Sequence, residues 1–108
     1  MPDERVYEER VGRAFRRLED ALEAVDPDIV EVTSTGDMVT LTLPRGVRCI
    51  LNTQRAVAQL WLAARDSAWH FSWDDARSGW LDDKGRGVEL FAQLERILLA
   101  EAGVTITL

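Results

Sequence analysis

Residues 18–31 carry six carboxylates, Glu19, Asp20, Glu23, Asp26, Asp28 and Glu31, and no base. Carboxylates are hard oxygen donors. They suit Fe2+, Fe3+, Mn2+, Ca2+ or Mg2+ and are poor at selecting Zn2+ or Cu+. No histidine or cysteine stands among them, so a metal site made from them is shallow, weak and poorly selective. Helical spacing puts Glu8, Glu19 and Glu23 along one flank of an opening helix, with Arg10, Arg13 and Arg17 on the opposite flank. The crowding has a cost. Glu19 and Glu23 repel at i,i+4 by about 0.2–0.5 kcal/mol, and acids near a helix C-terminus lose about 0.3–1 kcal/mol each to the helix dipole. The plain alternative is a solvated face that keeps the protein soluble. Catalysis by paired carboxylates would need an apolar pocket to raise one pKa, and no such pocket is evident in the pattern.

A second constellation is Asn52-Thr53-Gln54 followed by Gln59-Leu60-Trp61-Leu62. Alternation along a strand sends Leu60, Leu62 and Ala64 to one face, and Gln59, Trp61 and Ala63 to the other. If the leucines face a core, Trp61 stands in solvent beside Gln59, with Asn52 and Gln54 nearby. Tryptophan among amides suits a partner-binding surface, because it buries a large rigid area at small entropic cost. By the same rule Trp69, Phe71 and Trp73 point inward while His70 and Ser72 point out. His70 reads as a surface residue, Cys49 as a core thiol alternating with Leu51, and Trp80 as packing. No P-loop, GxGxxG, GxSxG or HExxH pattern occurs, and no catalytic residue is assigned.

The elements that must position these groups are legible. Residues 3–25 read as a helix with Tyr7, Val11, Ala14, Phe15, Leu18, Ala21, Leu22 and Val25 on its apolar face. Pro2 and Asp3 suit its start, and Pro27 its end. Strands are expected around residues 29–35, 38–43, 47–52, 58–64, 69–73 and 79–82. Turns at Gly36-Asp37 and Pro44-Arg45-Gly46 make neighbours antiparallel. A second helix is expected over residues 87–102, capped by Gly103, with residues 104–108 as an edge strand or tail. Helix, run of strands, helix predicts an α+β fold of two helices on one face of a single antiparallel sheet. The opposite sheet face is then open to solvent or to a partner.

Composition narrows the function. The chain has 108 residues and a net charge of −6, from 19 acids and 13 bases. Length fits one domain, residues 1–108. The acidic balance argues against nucleic acid as the main partner and favours cations or basic protein surfaces. One cysteine allows neither an internal disulfide nor a paired-cysteine metal site, which fits a reducing compartment such as the cytoplasm. No apolar run approaches the roughly 20 residues of a membrane span, and the charged start resembles neither a signal nor a transit peptide.

Taken together, Asn52-Thr53-Gln54, Gln59-Leu60-Trp61-Leu62-Ala63, Trp69-His70-Phe71, Gly79-Trp80 and Asp82-Asp83-Lys84-Gly85 resemble the frataxin family, its bacterial CyaY branch most closely. The family pattern of N-x-Q, Q-x-W, an aromatic strand, a Trp and a D-x-x-G turn occurs in order and covers nearly the whole chain. The resemblance implies the α-β-α frataxin sandwich and a role in iron–sulfur cluster assembly. It implies weak binding of Fe2+ and Fe3+ on an acidic ridge, carried over to Glu19, Asp20, Glu23, Asp26, Asp28 and Glu31; Glu8, on the same helix flank by spacing, joins them as a candidate metal ligand. It also implies binding of the cysteine desulfurase and the iron–sulfur scaffold protein through the ridge and through Asn52, Gln54, Gln59 and Trp61. A monomer, with iron-dependent oligomers as a variant state, is the implied assembly. Purely protein-binding regulation is the alternative, and ferroxidase activity is a label the family carries without a closed di-iron motif here. Departures are the missing proline after N-x-Q, where Arg55-Ala56 stands, Tyr7 and Glu8 where a histidine is common, and Ala24 where an acid is common.

Overall fold

The computed structural model describes residues 4–108. Helix α1 spans Glu4–Leu22 and buries Tyr7, Val11, Ala14, Phe15, Leu18 and Leu22, the face expected from the spacing. The proposed start at Pro2 and Asp3 lies outside the described residues. The helix ends a turn earlier than expected. Val25 N–H bonds the Leu22 carbonyl, and Asp26 folds the chain into a turn by accepting from the Ile29 and Val30 N–H groups. Asp26 Oδ1 takes the Asp28 N–H at 2.9 Å, which stabilises that turn against further helix. Glu23 is therefore just past the helix and not an i,i+4 partner of Glu19 within it.

Six strands follow: β1 Glu31–Ser34, β2 Met38–Thr42, β3 Arg48–Gln54, β4 Gln59–Ala64, β5 Ser67–Asp74 and β6 Gly79–Asp82. They form one sheet in sequence order, every neighbour antiparallel. Short turns impose that meander. Arg65 takes the left-handed conformation between β4 and β5, and Ala58 does so before β4. That conformation keeps Ala58 out of the strand expected over 58–64, which begins at Gln59. Helix α2 spans Leu90–Ala102. It starts later than residue 87 because the preceding residues are held extended: Asp82 N–H bonds the Val88 carbonyl at 2.9 Å. Glu89 then caps the helix, its carboxylate accepting from Phe91 and Ala92 N–H. Gly103, at φ 65°, closes the other end as expected. Residues 104–108 form no strand; Val104, Ile106 and Leu108 pack against the core as a tail.

Both helices lie on one sheet face. Val39, Leu41, Cys49, Leu51, Leu60, Leu62, Phe71 and Trp80 face Leu18 of α1 and Leu90, Leu94 and Leu98 of α2 in one core. Trp80 is wedged edge-on between Tyr7 and Trp73, at 6.2 and 5.6 Å between ring centroids. Burial pushes the Cys49 thiol up to about 12, so it stays neutral and inert in the core. Among the described residues no helix is long and apolar enough to cross a membrane.

Candidate functional site

The open sheet face is built by register. One row runs Met38, Asn52, Trp61, His70 across β2 to β5. The next runs Gln54, Gln59, Ser72, Leu81 across β3 to β6. Because Leu60 and Leu62 are buried, Trp61 and Gln59 must emerge on the opposite side, as the alternation requires.

Trp61 is held rigidly there. Its ring stacks on His70 with centroids 4.1 Å apart and planes 13° from parallel. Its indole N–H donates to Gln59 Oε1 at 2.8 Å. The Gln59 amide in turn donates to Ser72 Oγ at 3.1 Å and to Asp83 Oδ2 at 3.0 Å. The same Asp83 oxygen lies 3.9 Å from His70 Nδ1. Behind the sheet, Tyr7 of α1 donates to the Gln59 backbone carbonyl at 2.7 Å, and burial raises the Tyr7 pKa. Gln59 thus joins α1, strands β4 and β5, the turn after β6 and the indole. The network fixes one Trp61 rotamer before any partner arrives, which lowers the ordering cost of binding. Alternation places Asn52, Gln54, Gln59 and Trp61 on this face but does not reveal Ser72, His70 and Asp83 as the supports of Gln59 and Trp61. Asp83 stood inside a recognised turn motif, yet only the fold brings it beside Gln59.

The ridge residues behave differently from one another. Glu19, Glu23, Asp26, Asp28 and Glu31 occupy the last turn of α1, the following turn and the start of β1, and all but the half-buried Glu19 are exposed. Asp20 is exposed too, but it turns to the arginine-lined side of α1. Among the described residues none of these six is in an ion pair. Glu8 is separated from them along the helix and pairs with Arg55, which also bonds Asp37. Neither Arg55 partner could be foreseen, because the contact joins α1, the β1–β2 turn and the β3–β4 turn.

The exposed acids gather where α1 ends, and the last turn of the helix carries no base. The negative end of the helix dipole adds to their field. This is a surface that attracts cations. Among the described residues no three metal-ligating side chains converge on one point, so an ion there would be held by one or two carboxylates and by water.

With this geometry in place, comparison with known proteins is informative. The family model for the frataxin-like domain matches residues 1–104. The iron-sulfur cluster assembly protein CyaY of Cupriavidus metallidurans is 38% identical over 101 residues, spanning 90% of this chain and 87% of that protein. The protein of the same name from Thioalkalivibrio sulfidiphilus is 39% identical over 89 residues, 82% of this chain and 78% of its own. Among solved structures, frataxin from Psychromonas ingrahamii superposes with a TM-score of 0.87 over 97% of this chain and 96% of that one, at 21% identity. At that identity the likeness speaks for the fold.

Proposed function

This chain belongs to the frataxin family, and on that premise we propose that it works in iron–sulfur cluster assembly as an iron-binding accessory protein. Fe2+ and Fe3+ are its cargo, bound weakly by Glu19, Glu23, Asp26, Asp28 and Glu31, with Asp20 at the margin. Its partners are the cysteine desulfurase and the scaffold protein, to which it supplies iron or whose activity it modulates. It acts as a monomer in the cytoplasm. The observation that carries the reading is the unneutralised state of the ridge: Glu8, Asp82 and Glu101 each pair with an arginine, and among the described residues the ridge acids make no ion pair. Hard, exposed oxygens with an incomplete ligand set bind iron loosely and release it readily.

Titration of Mn2+, a paramagnetic stand-in for Fe2+, followed by NMR tests this. Signal loss should be confined to residues 19–31. Uniform or absent broadening would overturn iron carriage.

A second reading, regulation of the desulfurase by docking alone, is favoured by the rigid Trp61 and its network. It requires affinity for the desulfurase–scaffold pair that is independent of iron. A ferroxidase reading has weaker support, since among the described residues the ridge offers no converging ligand set of the kind di-iron chemistry uses.

A further inference from the structure

The side of α1 turned away from the ridge borders a groove of about 680 Å³, completed by the β5–β6 turn and the first turns of α2. Its charge is opposite to that of the molecule. Arg10, Arg13, Arg16 and Arg17 of α1 and Arg77 of the β5–β6 turn all line it. Arg10 is occupied by Asp75 at 3.2 Å. Among the described residues Arg13, Arg16, Arg17 and Arg77 have no ion-pair partner, although the chain has 19 acids to offer.

The carboxylates nearest to hand are engaged elsewhere. Glu89 accepts from the first N–H groups of α2, and Glu95 from Leu108 N–H at 2.9 Å. Among the described side chains Asp20 is the carboxylate left at the rim. The cations, by contrast, are positioned. The Arg17 guanidinium lies 4.5 Å from the centroid of Phe91, and Arg10 the same distance over Trp73. Stacking uses the face of the guanidinium and leaves its in-plane N–H fork for an oxyanion. Like charges three and four residues apart on α1 also oppose the helix, so an anion between them would relieve a standing repulsion.

We propose that this groove binds a small multivalent anion, a molecule bearing two or more phosphate or carboxylate groups. The volume falls within the roughly 300–1,000 Å³ of small-molecule sites. Guanidiniums approach from two elements, α1 and the β5–β6 turn, so one ligand can be gripped at both ends. The seven steps from Arg10 to Arg17 rise about 10 Å, too short a stripe to track a nucleic-acid backbone.

The test titrates tripolyphosphate and, separately, citrate into the metal-free full chain, followed by NMR and calorimetry. Shifts should localise to Arg13, Arg17, Arg77 and Phe91. The tighter probe identifies phosphate or carboxylate as the preferred group. Arg13→Gln with Arg17→Gln should weaken binding roughly tenfold or more. Arg48→Gln with Arg96→Gln removes the same charge from other exposed positions and should leave it unchanged. Shift mapping on the unsubstituted protein locates the probe however the variants fold. The proposal is overturned if neither probe shifts the groove at low salt, or if both double variants weaken binding equally.

Discussion

Trp61 and Gln59 lie two residues apart on one strand, and the indole N–H of the first donates to the side-chain oxygen of the second at 2.8 Å. The bond runs along the sheet surface and satisfies the polar edge of a half-buried ring that stacks on His70. Trp61→Ala should leave the core intact and lower stability by about 0.5–1.5 kcal/mol beyond the half-buried area it removes, the range of an aromatic pair. It should weaken binding to the desulfurase–scaffold pair about 10- to 30-fold, the range of an interface hot spot. Pull-down and calorimetry with both partners check this. Unchanged affinity would remove the sheet face from the interface.

Gln59→Ala separates support from contact. Loss of the amide frees the Trp61 rotamer and strands no buried group, since Ser72 and Asp83 can turn to water. Stability should fall by about 0.5–1.5 kcal/mol. Partner affinity should fall less than for Trp61→Ala, with Tyr7 still bonded to the unchanged backbone carbonyl. A loss as large as that of Trp61→Ala would make the amide itself the contact.

How much of this was legible follows from which interactions are local. Alternation along β4 placed Leu60 and Leu62 inside and Gln59 and Trp61 outside, and the structure agrees. Helical spacing likewise identified the buried face of α1. The spacing carries α1 three residues past its observed end because the turn at Asp26 competes with the helix through its own carboxylate, a balance that periodicity does not weigh. The spacing starts α2 too early because the Val88 carbonyl is held by the Asp82 N–H in an extended pairing. Arg55 on Glu8 and Asp37, and Asp83 beneath Gln59, are long-range contacts between turns, where a sequence pattern carries no period.

Neutralising the ridge should stabilise the metal-free protein. Glu19 and Asp20 sit in the last turn of α1 at the negative end of its dipole, with no base in that turn. Glu19→Gln with Asp20→Asn should add about 0.5–2 kcal/mol, visible as a rise of several degrees in Tm, and added salt should shrink the gain. The same double variant should bind Mn2+ more weakly. A fall in Tm at low salt would show that these acids are locally paired and would undermine their role as an open cation surface.

Arg55 acts as an internal cation for Glu8 and Asp37. Arg55→Ala changes the net charge from −6 to −7 and leaves two facing carboxylates on α1 and the β1–β2 turn. The exposed pair costs little when lost, up to about 1 kcal/mol. Mn2+ broadening should then extend to residues near Glu8, beyond the 19–31 segment seen in the parent. Broadening at Glu8 already present in the parent would mean that Arg55 yields readily to metal.

Asp82 is the buried charge of the molecule's far end. Its carboxylate takes the Arg86 Nε–H at 2.7 Å and a terminal N–H at 3.1 Å, and that bidentate hydrogen bond holds its pKa below the ordinary 3.8. The pair fixes the turn from which Val88 and the capping Glu89 lead into α2. Because the folded-state pKa is depressed, the contribution is complete from about pH 5, a unit above the ordinary 3.8, and disappears as pH falls through the folded value. Asp82→Asn should therefore lower stability by about 1.5–3 kcal/mol at pH 7, or several degrees in Tm. The gap between variant and parent should hold constant down to about pH 5 and close under more acid conditions, where the parent carboxyl is itself protonated. Melting both proteins across that range measures it. A gap that stays open in strong acid would assign the loss to packing of the side chain and not to its charge.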